Sequence, residues 1–205
     1  MNNLISLKNI NKNYFSKNKI KALNNINLNF KVGKIYSITG PSGSGKSTLL
    51  NILSLIDKPS SGSMTLDNKE IDFENNDAND KIRANKIGII YQNYNLLPDF
   101  TALENVSLAG LASGKSQKNS DYESKKIISN LGLSKRLYHL PSELSGGENQ
   151  RIAIARALIN QPKIILADEP TGNLDIISAK NVFKILLNLK KTNRIIIFAT
   201  HNREF

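Results

Sequence analysis

The sequence predicts an α/β fold in three parts: a core around a parallel sheet, an N-terminal antiparallel β subdomain, and a helical subdomain inserted into the core. Three observations predict it. A glycine-rich stretch at residues 40–48 joins a short apolar run to a helical segment, three later apolar runs of strand length end in polar residues, and residues from about 95 to 145 have helical periodicity. We therefore expect one domain over residues 1–205.

The composition is that of an ordinary globular protein. Of the 205 residues, 40% are hydrophobic and 22% are charged. No run approaches the roughly 20 apolar residues of a membrane span, and the N-terminus lacks a signal-peptide core. Because the chain has no cysteine, disulfides and thiolate metal sites are excluded. These features favour a cytoplasmic protein.

The net charge is strongly positive, with 28 basic residues against 17 acidic ones and a formal value of +11. Such an excess can indicate a nucleic-acid partner or an anionic membrane surface. The basic residues are mostly lysines, however, and no cluster of arginines with aromatic residues is present. Solvated lysine is the better interpretation, so no nucleic-acid partner is expected. Weak attraction to the negative cytoplasmic face of a membrane stays open.

The N-terminal segment alternates apolar and polar residues over residues 4–30, around a turn rich in Lys and Asn at residues 16–21. This pattern predicts an antiparallel hairpin with one solvated face. Tyr14 lies near the turn. Its ring could stack on a nucleotide base, and a half-buried strand tyrosine is the alternative interpretation.

Residues 40–48 have the pattern of a phosphate-binding loop, G-x-x-x-x-G-K-[ST], between a predicted strand at Ile35–Thr39 and a predicted helix at 47–55. The glycines let backbone N–H groups face a triphosphate at the helix N-terminus. Lys46 would add charge near the outer phosphates, and Ser47 a hydroxyl for Mg²⁺. The alternative is a glycine-rich turn that binds nothing. The predicted nucleotide-binding residues are Gly40, Pro41, Ser42, Gly43, Ser44, Gly45, Lys46, Ser47 and Thr48.

After a short predicted strand at residues 64–66, an acidic, asparagine-rich stretch at 70–80 predicts a solvated loop, since it lacks the spacing of a calcium loop. Residues 87–91 form an apolar run typical of a buried parallel strand, and the run ends at Gln92. Ligands of open α/β sheets gather at the carboxyl ends of strands, so Gln92 could reach a metal or a phosphate-bound water.

The predicted helical subdomain carries two capping-box patterns, Thr101-x-x-Glu104 and Ser120-x-x-Glu123, with a small and polar linker predicted at 110–118. A helical insert in an alternating α/β chain implies a subdomain that can move against the sheet.

Ser145 opens the next predicted helix, again with a capping pattern. Gly146 and Gly147 in its first turn each lower helix propensity by ~1 kcal/mol relative to Ala. We interpret them as bare backbone that can approach another group closely, at a helix N-terminus that prefers an anion.

Two last apolar runs also end in polar residues. The run at 163–167 ends at Asp168 and Glu169, and the run at 194–200 ends before His201, with a helix predicted at about 176–191 between them. Asp168 could bind a Mg²⁺-coordinated water, while Glu169 could orient or deprotonate an attacking water. Polar groups at every predicted strand end indicate one shared site.

Together these motifs resemble the nucleotide-binding subunit of ABC transporters, P-loop NTPases with a RecA-like core, over essentially the whole chain. In the family's terms, Tyr14 resembles the adenine-stacking aromatic, residues 40–48 resemble the Walker A loop and Gln92 resembles the lid glutamine. Residues 144–148 resemble the signature, and residues 164–169 resemble Walker B with its catalytic glutamate. Residues 173–175 resemble the dimer-contact loop, and His201 resembles the switch histidine.

The resemblance implies an ATPase that uses ATP and Mg²⁺. Its implied catalytic residues are Glu169, His201 and Lys46, and its implied metal-binding residues are Ser47, Gln92 and Asp168. It also implies that Ser145, Gly146 and Gly147 of one copy reach the phosphates held by a second copy, so that a homodimer sandwiches ATP. The implied partner is a transmembrane permease, which would place the chain on the inner face of the cell membrane.

Finer matches at residues 91–98, 101–106 and 166–175 resemble the branch of macrolide exporters, lipoprotein-releasing ATPases and the cell-division ATPase. The sequence ends four residues after His201. In this short C-terminus it resembles ATPases of lactococcin-type bacteriocin export, and a truncated chain is the alternative. The implied function is to power export of a peptide, a bacteriocin or a hydrophobic compound. The alternatives are an ATP-gated regulatory subunit of a cell-envelope or cell-division complex, and a soluble ABC protein acting on nucleic acid or ribosomes.

Overall fold

The computed structural model describes residues 3–15 and 19–201. These residues form eight strands and six helices, with short 3-10 turns at Ser134–Arg136 and Pro141–Glu143. In chain order the elements are β1 (Asn3–Phe15), β2 (Lys19–Lys31), β3 (Ile35–Thr39), α1 (Lys46–Leu53), β4 (Ser61–Leu66), β5 (Lys69–Glu70), α2 (Asn76–Lys86), β6 (Ile87–Ile90), α3 (Ala102–Ala112), α4 (Gln117–Asn130), α5 (Gly146–Leu158), β7 (Ile164–Asp168), α6 (Ile176–Asn188) and β8 (Ile195–Thr200).

The core is a parallel sheet with the strand order β3-β8-β7-β6. One apolar cluster packs α1 and the antiparallel strands against one face, and a second packs α5 and α6 against the other. Because both faces are covered, every residue of β8 is buried, which explains the continuous apolar runs in the sequence. The carboxyl ends of all four strands meet at one edge of this sheet.

The antiparallel sheet has the order β2-β1-β4-β5, and β1 pairs with β2 as a hairpin. Met64 and Leu66 of β4 are buried toward the first apolar cluster, while residues on the opposite face of β2 are exposed. The predicted hairpin is therefore confirmed. Its predicted turn at residues 16–21 lies in part outside the described residues.

The helical part consists of α3, α4 and the start of α5, which share a third apolar cluster around Val106, Ile128 and Ile152. The capping boxes at Thr101 and Ser145 are confirmed, since both side chains accept from the N–H group three residues on. With the parallel core and the antiparallel sheet, this insert confirms the predicted fold class.

The predicted capping box at Ser120 is wrong, because Ser120 lies inside α4, whose N-cap is Ser116. Ser120 is fully buried and its hydroxyl donates to the carbonyl oxygen of Ser107 at 2.6 Å. The predicted linker at 110–118 is also too long, since α3 continues to Ala112. A Cβ on Gly110 would lie 2.2 Å from the Ser120 hydroxyl, so small residues serve close helix contact here, not a flexible connection.

The predicted loop at 70–80 is wrong in its second half, where α2 begins at Asn76. Asn75 caps the helix by accepting from the N–H of Ala78. An acidic residue, Asp77, lies in the first turn, and basic residues lie in the last, as the helix dipole favours. The helix was missed because it has almost no apolar stripe, and burial is what makes a helix visible in a sequence.

Three predicted ends differ by a few residues. Helix α1 ends at Leu53, before residue 55, because Leu55 adopts a left-handed backbone with φ of +61°. Helix α6 ends at Asn188, before residue 191, where the N–H of Leu189 turns back to the carbonyl oxygen of Leu186. Strand β6 ends at Ile90.

None of the described helices combines the length and the apolar character that crossing a bilayer requires.

Candidate nucleotide-binding site

A cleft of about 660 Å³ opens at the carboxyl edge of the parallel sheet. It brings together most of the site residues expected from the sequence, along with three residues of β2. Its lining is Tyr14, Ile20, Lys21, Ala22, Ser42, Gly43, Gly45, Lys46, Ser47, Thr48, Gln92, Asp168, Glu169 and His201. Residues far apart in the sequence thus face one space, because parallel strands deliver their ends to the same edge.

The phosphate-binding loop runs from β3 into α1 and curls around the side chain of Lys46. The ammonium group donates to the carbonyl oxygens of Gly40 at 2.9 Å and Pro41 at 3.0 Å, and the residue is only 9% exposed. Gly40 and Pro41 therefore hold Lys46 from behind and do not line the cleft. Ser44 does not line the cleft either. Its hydroxyl would lie 2.8 Å from a Cβ on Gly40, so it packs against the start of the loop.

Gly45 is the N-cap of α1 and has a left-handed backbone, with φ of +89°. A Cβ at this position would lie 2.4 Å from the carbonyl oxygen of Ala22 in β2. Since that contact is with backbone, no side-chain rotation relieves it. The loop therefore packs against the hairpin only with glycine at this position.

We expect Gly45→Ala to weaken nucleotide binding by about tenfold or more, because β2 must move away from the loop. Gly114→Ala is the matched control: its φ is +92°, but nothing lies within 4 Å of the added Cβ. Both variants strain the backbone, and only the first adds a clash. Calorimetric titration with Mg-ATP measures the difference, and equal affinity of the two variants would contradict this account of the loop.

Glu169 follows β7 directly and turns away from Asp168. Its φ is +45°, an uncommon conformation for a residue with a side chain. Its backbone N–H donates to the carbonyl oxygen of Ala199, and its Oε1 accepts from the backbone N–H of His201 at 2.9 Å and lies 2.8 Å from the Nδ1 of His201. The Glu169 side chain is 13% exposed, against 64% for His201. The carboxylate is thus fixed at the cleft wall with the imidazole beside it.

The donor set in the cleft fits Mg²⁺ bound together with a phosphate chain. The Oδ1 of Asp168 is buried and finds no hydrogen-bond partner among the described residues, although such an atom normally has one. The hydroxyl-bearing Ser47 lines the same cleft. The described part of the chain contains no group of three or more His, Cys, Asp or Glu side chains that could hold a metal ion.

Gln92 is connected to the segment after β7 by hydrogen bonds with the side chain of Asn173. Its Nε2 donates to the Oδ1 of Asn173 at 3.0 Å, and the Nδ2 of Asn173 donates to the backbone oxygen of Gln92 at 3.3 Å and to the Oδ1 of Asn93 at 2.7 Å. The sequence singled out Gln92 for the site but gave Asn173 no role within its own copy. The two amide side chains connect Gln92 to the segment that follows Glu169.

The signature residues lie outside the cleft of their own copy. Ser145 and Gly146 are exposed at the N-terminus of α5, while Gly147 is buried against Ser178 of α6. The hydrogen bond from the backbone N–H of Ser145 lowers the pKa of Glu148, which also pairs with Arg136 at 2.9 Å. The helix start is thus firmly capped, and its exposed backbone does not line the cleft of the same chain.

The segment after Gln92 is also tied to the signature helix. The guanidinium of Arg156 in α5 donates to the carbonyl oxygens of Tyr94 and Asn95. Both acceptor residues have left-handed backbones. Near the start of α5, the Tyr94 hydroxyl lies 2.9 Å from where a Cβ on Gly146 would be.

The profile of the ABC transporter family matches residues 23–172, more than half of the chain. The chain belongs to the ABC transporter family. This membership confirms the resemblance drawn from the motifs, and the matched region includes the phosphate loop, the signature and the Walker B strand of this ABC chain.

Relatives of this ABC chain include lipoprotein-releasing proteins. The lipoprotein-releasing system ATP-binding protein LolD of Rickettsia bellii (strain RML369-C) is 49% identical over 205 residues, which cover 99% of this chain and 90% of that protein. LolD of Aquifex aeolicus (strain VF5) is 46% identical over 90% of this chain and 82% of its own length. The probable syringafactin export ATP-binding/permease protein SyfD of Pseudomonas syringae pv. syringae (strain B728a) is 45% identical over 89% of this chain and 28% of its own length.

Solved structures agree with the ABC fold. The dimeric structure of MJ0796, a bacterial ABC transporter cassette, has a TM-score of 0.87 at 42% identity and covers 98% of this chain and 89% of that one. A dimeric post-hydrolysis state of the same cassette, bound to ADP and Pi, has a TM-score of 0.88 at 40% identity with the same coverage. The expected branch, which includes lipoprotein-releasing ATPases, is consistent with the relatives named LolD.

Proposed function

We propose that this chain is the ATP-hydrolysing subunit of a transport complex and drives a separate membrane permease. The observation that carries the proposal is the single cleft that unites the phosphate loop with Asp168, Glu169 and His201 in a chain of the ABC family. The triphosphate lies against the backbone N–H groups of the loop and the ammonium of Lys46. Ser47, Gln92 and Asp168 would hold Mg²⁺, which would supply positive charge beside the phosphates.

The arrangement of Glu169 and His201 suits hydrolysis. A water molecule attacks the terminal phosphorus in line, a bond forms between the water oxygen and that phosphorus, and the bond to the bridging oxygen of ADP breaks. Glu169 orients the water and accepts its proton, while His201 keeps the carboxylate in place through two contacts. Lys46 and the loop N–H groups stabilise the charge that develops on the oxygens of the transferred phosphoryl group and on the bridging oxygen that leaves with ADP.

A second copy of the chain completes each site. Ser145 and Gly146 present exposed backbone at a helix N-terminus but do not line their own cleft, so they are free to meet the phosphates held by another copy. Two copies related by a two-fold axis would satisfy both sites at once. The dimeric structures of MJ0796 support this arrangement.

We expect Gly146→Asp to abolish ATP-dependent dimerisation and to leave ATP binding to a single copy nearly unchanged. A carboxylate on the exposed helix start would face the phosphates of the second copy and repel them. The added Cβ also lies 2.9 Å from the Tyr94 hydroxyl, so Gly146→Ala, which brings the same Cβ without the charge, should still form the dimer. Light scattering after size-exclusion chromatography measures the mass with Mg-ATP, in a Glu169→Gln background that prevents turnover. Ser142→Asp is the control, because Ser142 is also exposed, lies nearby and gains the same charge. A dimer that tolerates Asp at position 146 would contradict the sandwich.

The partner of the dimer is a transmembrane permease, which places the chain on the cytoplasmic face of the membrane. The segment at 93–104 is proposed to transmit closure to that permease. A groove of about 560 Å³ lies beside it, between α2 and the helical part, and is lined in part by Arg83, Tyr91, Asn95 and Arg156. Because Arg156 also holds the segment after Gln92, movement of α5 would reach this groove.

The cargo is proposed to be a lipoprotein or another hydrophobic compound of the membrane. Relatives named lipoprotein-releasing system ATP-binding proteins, at 46 to 49% identity, favour lipoprotein release. The relative named for syringafactin export favours export as the alternative to lipoprotein release. Export of a peptide or a bacteriocin rests on the sequence resemblance alone.

Reconstitution of the subunit with its permease in proteoliposomes tests the cargo. The expected result is ATP-dependent release of an acylated lipoprotein into solution, absent with the Glu169→Gln subunit. ATP-dependent movement of an unacylated bacteriocin peptide instead would replace the proposed cargo. ATP hydrolysis that changes the permease conformation, with neither cargo moved, would favour the regulatory subunit and overturn transport.

A further inference from the structure

Tyr14 is held at its tip and over one ring face by two residues that the proposed function leaves without a role. Its hydroxyl donates to the Oδ2 of Asp57 at 3.0 Å. The ammonium of Lys12 donates to the Oδ1 of the same carboxylate at 2.6 Å and lies 5.0 Å from the centroid of the Tyr14 ring. Lys12 also donates to the carbonyl oxygen of Lys58 at 2.7 Å.

The Lys12–Asp57 pair is sheltered from solvent. Its side chains are 11% and 27% exposed, whereas the neighbouring Lys58–Glu74 pair is 57% and 75% exposed. Partial burial acts to raise the pKa of Asp57, but the hydrogen bonds from Lys12 and Tyr14 outweigh it and the pKa is lowered. Asp57 therefore remains a carboxylate that can accept from both residues at neutral pH.

Asp57 also lies at the far end of the helix that carries the phosphate loop. Helix α1 begins at Lys46, and the backbone N–H groups of Ile56 and Asp57, just beyond its end, both return to the carbonyl oxygen of Asn51. The eight-residue helix spans about 12 Å. Helix α1 thus has the phosphate-binding lysine at its start, and the anchor of the Tyr14 ring lies four residues beyond its end, tied back to the helix by these hydrogen bonds.

We propose that Asp57 and Lys12 are positioning residues that hold the Tyr14 ring as a fixed platform for the nucleotide base, at a spacing from the phosphates that α1 sets. The inference rests on the proposed binding of ATP in this cleft. Because Lys12 lies over one face of the ring, the base stacks on the other face. A cation on the covered face draws electron density from the ring, which favours stacking of an electron-rich purine on the open face.

The test compares a ligand that has a base with one that lacks it, using the full chain. Asp57→Asn is expected to weaken Mg-ATP binding about three- to tenfold, the range of one ordinary net hydrogen bond, because the amide oxygen can still accept one of the two bonds. Binding of Mg-tripolyphosphate, which has no base, should stay within about twofold. In ATP hydrolysis, KM should rise in parallel while kcat changes little. Equal weakening of both ligands would mean that Asp57 merely supports α1, and would overturn the inference.

A double-mutant cycle with Tyr14→Ala separates positioning from general stability. If Asp57 acts through the ring, Asp57→Asn should have no further effect on Mg-ATP binding once the ring is gone. Additive losses would contradict the inference. Lys12→Met should reproduce the selective loss of Mg-ATP affinity. Unchanged affinity of this variant for both Mg-ATP and Mg-tripolyphosphate would remove Lys12 from the proposal. Glu74→Gln, which breaks only the exposed neighbouring pair, is the control and should leave both ligands unaffected.

The same measurements distinguish failure of the inference from failure of the proposed function. Normal Mg-ATP binding by Tyr14→Ala would show that no base platform exists at this position, which overturns the inference while ATP binding stands. Absence of binding of both ligands by the unaltered chain would overturn the proposed function itself.

Discussion

Replacement of Glu169 by Gln is expected to lower ATP turnover by about 100-fold or more, because an amide cannot accept the proton of the attacking water. The amide oxygen can still accept from the backbone N–H of His201, as Oε1 of Glu169 does at 2.9 Å. The shape of the cleft should therefore persist, and Mg-ATP should still bind and support the dimer. Phosphate release at saturating Mg-ATP, calorimetric affinity and light-scattering mass measure the three quantities.

Glu70→Gln is the matched control, since Glu70 is an exposed glutamate on β5, outside the lining of the cleft. It should change none of the three quantities. Undiminished phosphate release by Glu169→Gln would remove Glu169 from its proposed role. Loss of ATP binding together with turnover would instead assign Glu169 to ligand binding.

Lys46→Met is expected to weaken Mg-ATP binding by about 100-fold, because the side chain keeps its length and loses charge-assisted hydrogen bonds to the phosphates. The same change should not lower the Tm of the nucleotide-free chain. A positive charge in the first turn of a helix is unfavourable, and here Lys46 is the first residue of α1 and nearly buried. The site is thus expected to sacrifice some stability for ligand binding, as functional sites often do.

Differential scanning calorimetry without nucleotide, beside titration with Mg-ATP, separates the two effects of Lys46→Met. Lys69→Met on β5 is the control for a lost lysine charge, since Lys69 is exposed. A Tm that falls by several degrees would show that Lys46 holds the loop together through its carbonyl contacts and would contradict the expected trade-off. Near-normal ATP affinity would remove Lys46 from phosphate binding.

The central strands could be predicted because successive residues along each strand are buried, so that the strand is a run of apolar residues in the sequence. Every residue of β8 is buried, so the run appears as continuous apolar letters in the sequence. Helix α2 could not be predicted on this basis, since it has few apolar residues and depends on caps and charge placement. The pattern at Ser120 misled for a related reason: the capping motif is local, while the residue is buried by contact with α3.

Side chains that support the site were the hardest to predict. Tyr14 and Asp57 are 43 residues apart in the sequence, and Gln92 and Asn173 are 81 apart. Local patterns carry no signal for such pairs, because the fold alone creates them. The phosphate loop could be found directly, since its glycine spacing records a backbone shape that a continuous segment must adopt.

The two hydrogen bonds from Arg156 have a consequence for the timing of the cycle. They join the loop after Gln92 to the helix that starts with the signature, so the loop and the helix are expected to move together while these bonds persist. Release of the terminal phosphate from one site of the dimer should therefore move the segment that contacts the permease and the helix that contacts the opposite subunit in the same step. Intermediates in which only one of these partners has responded should be sparsely populated.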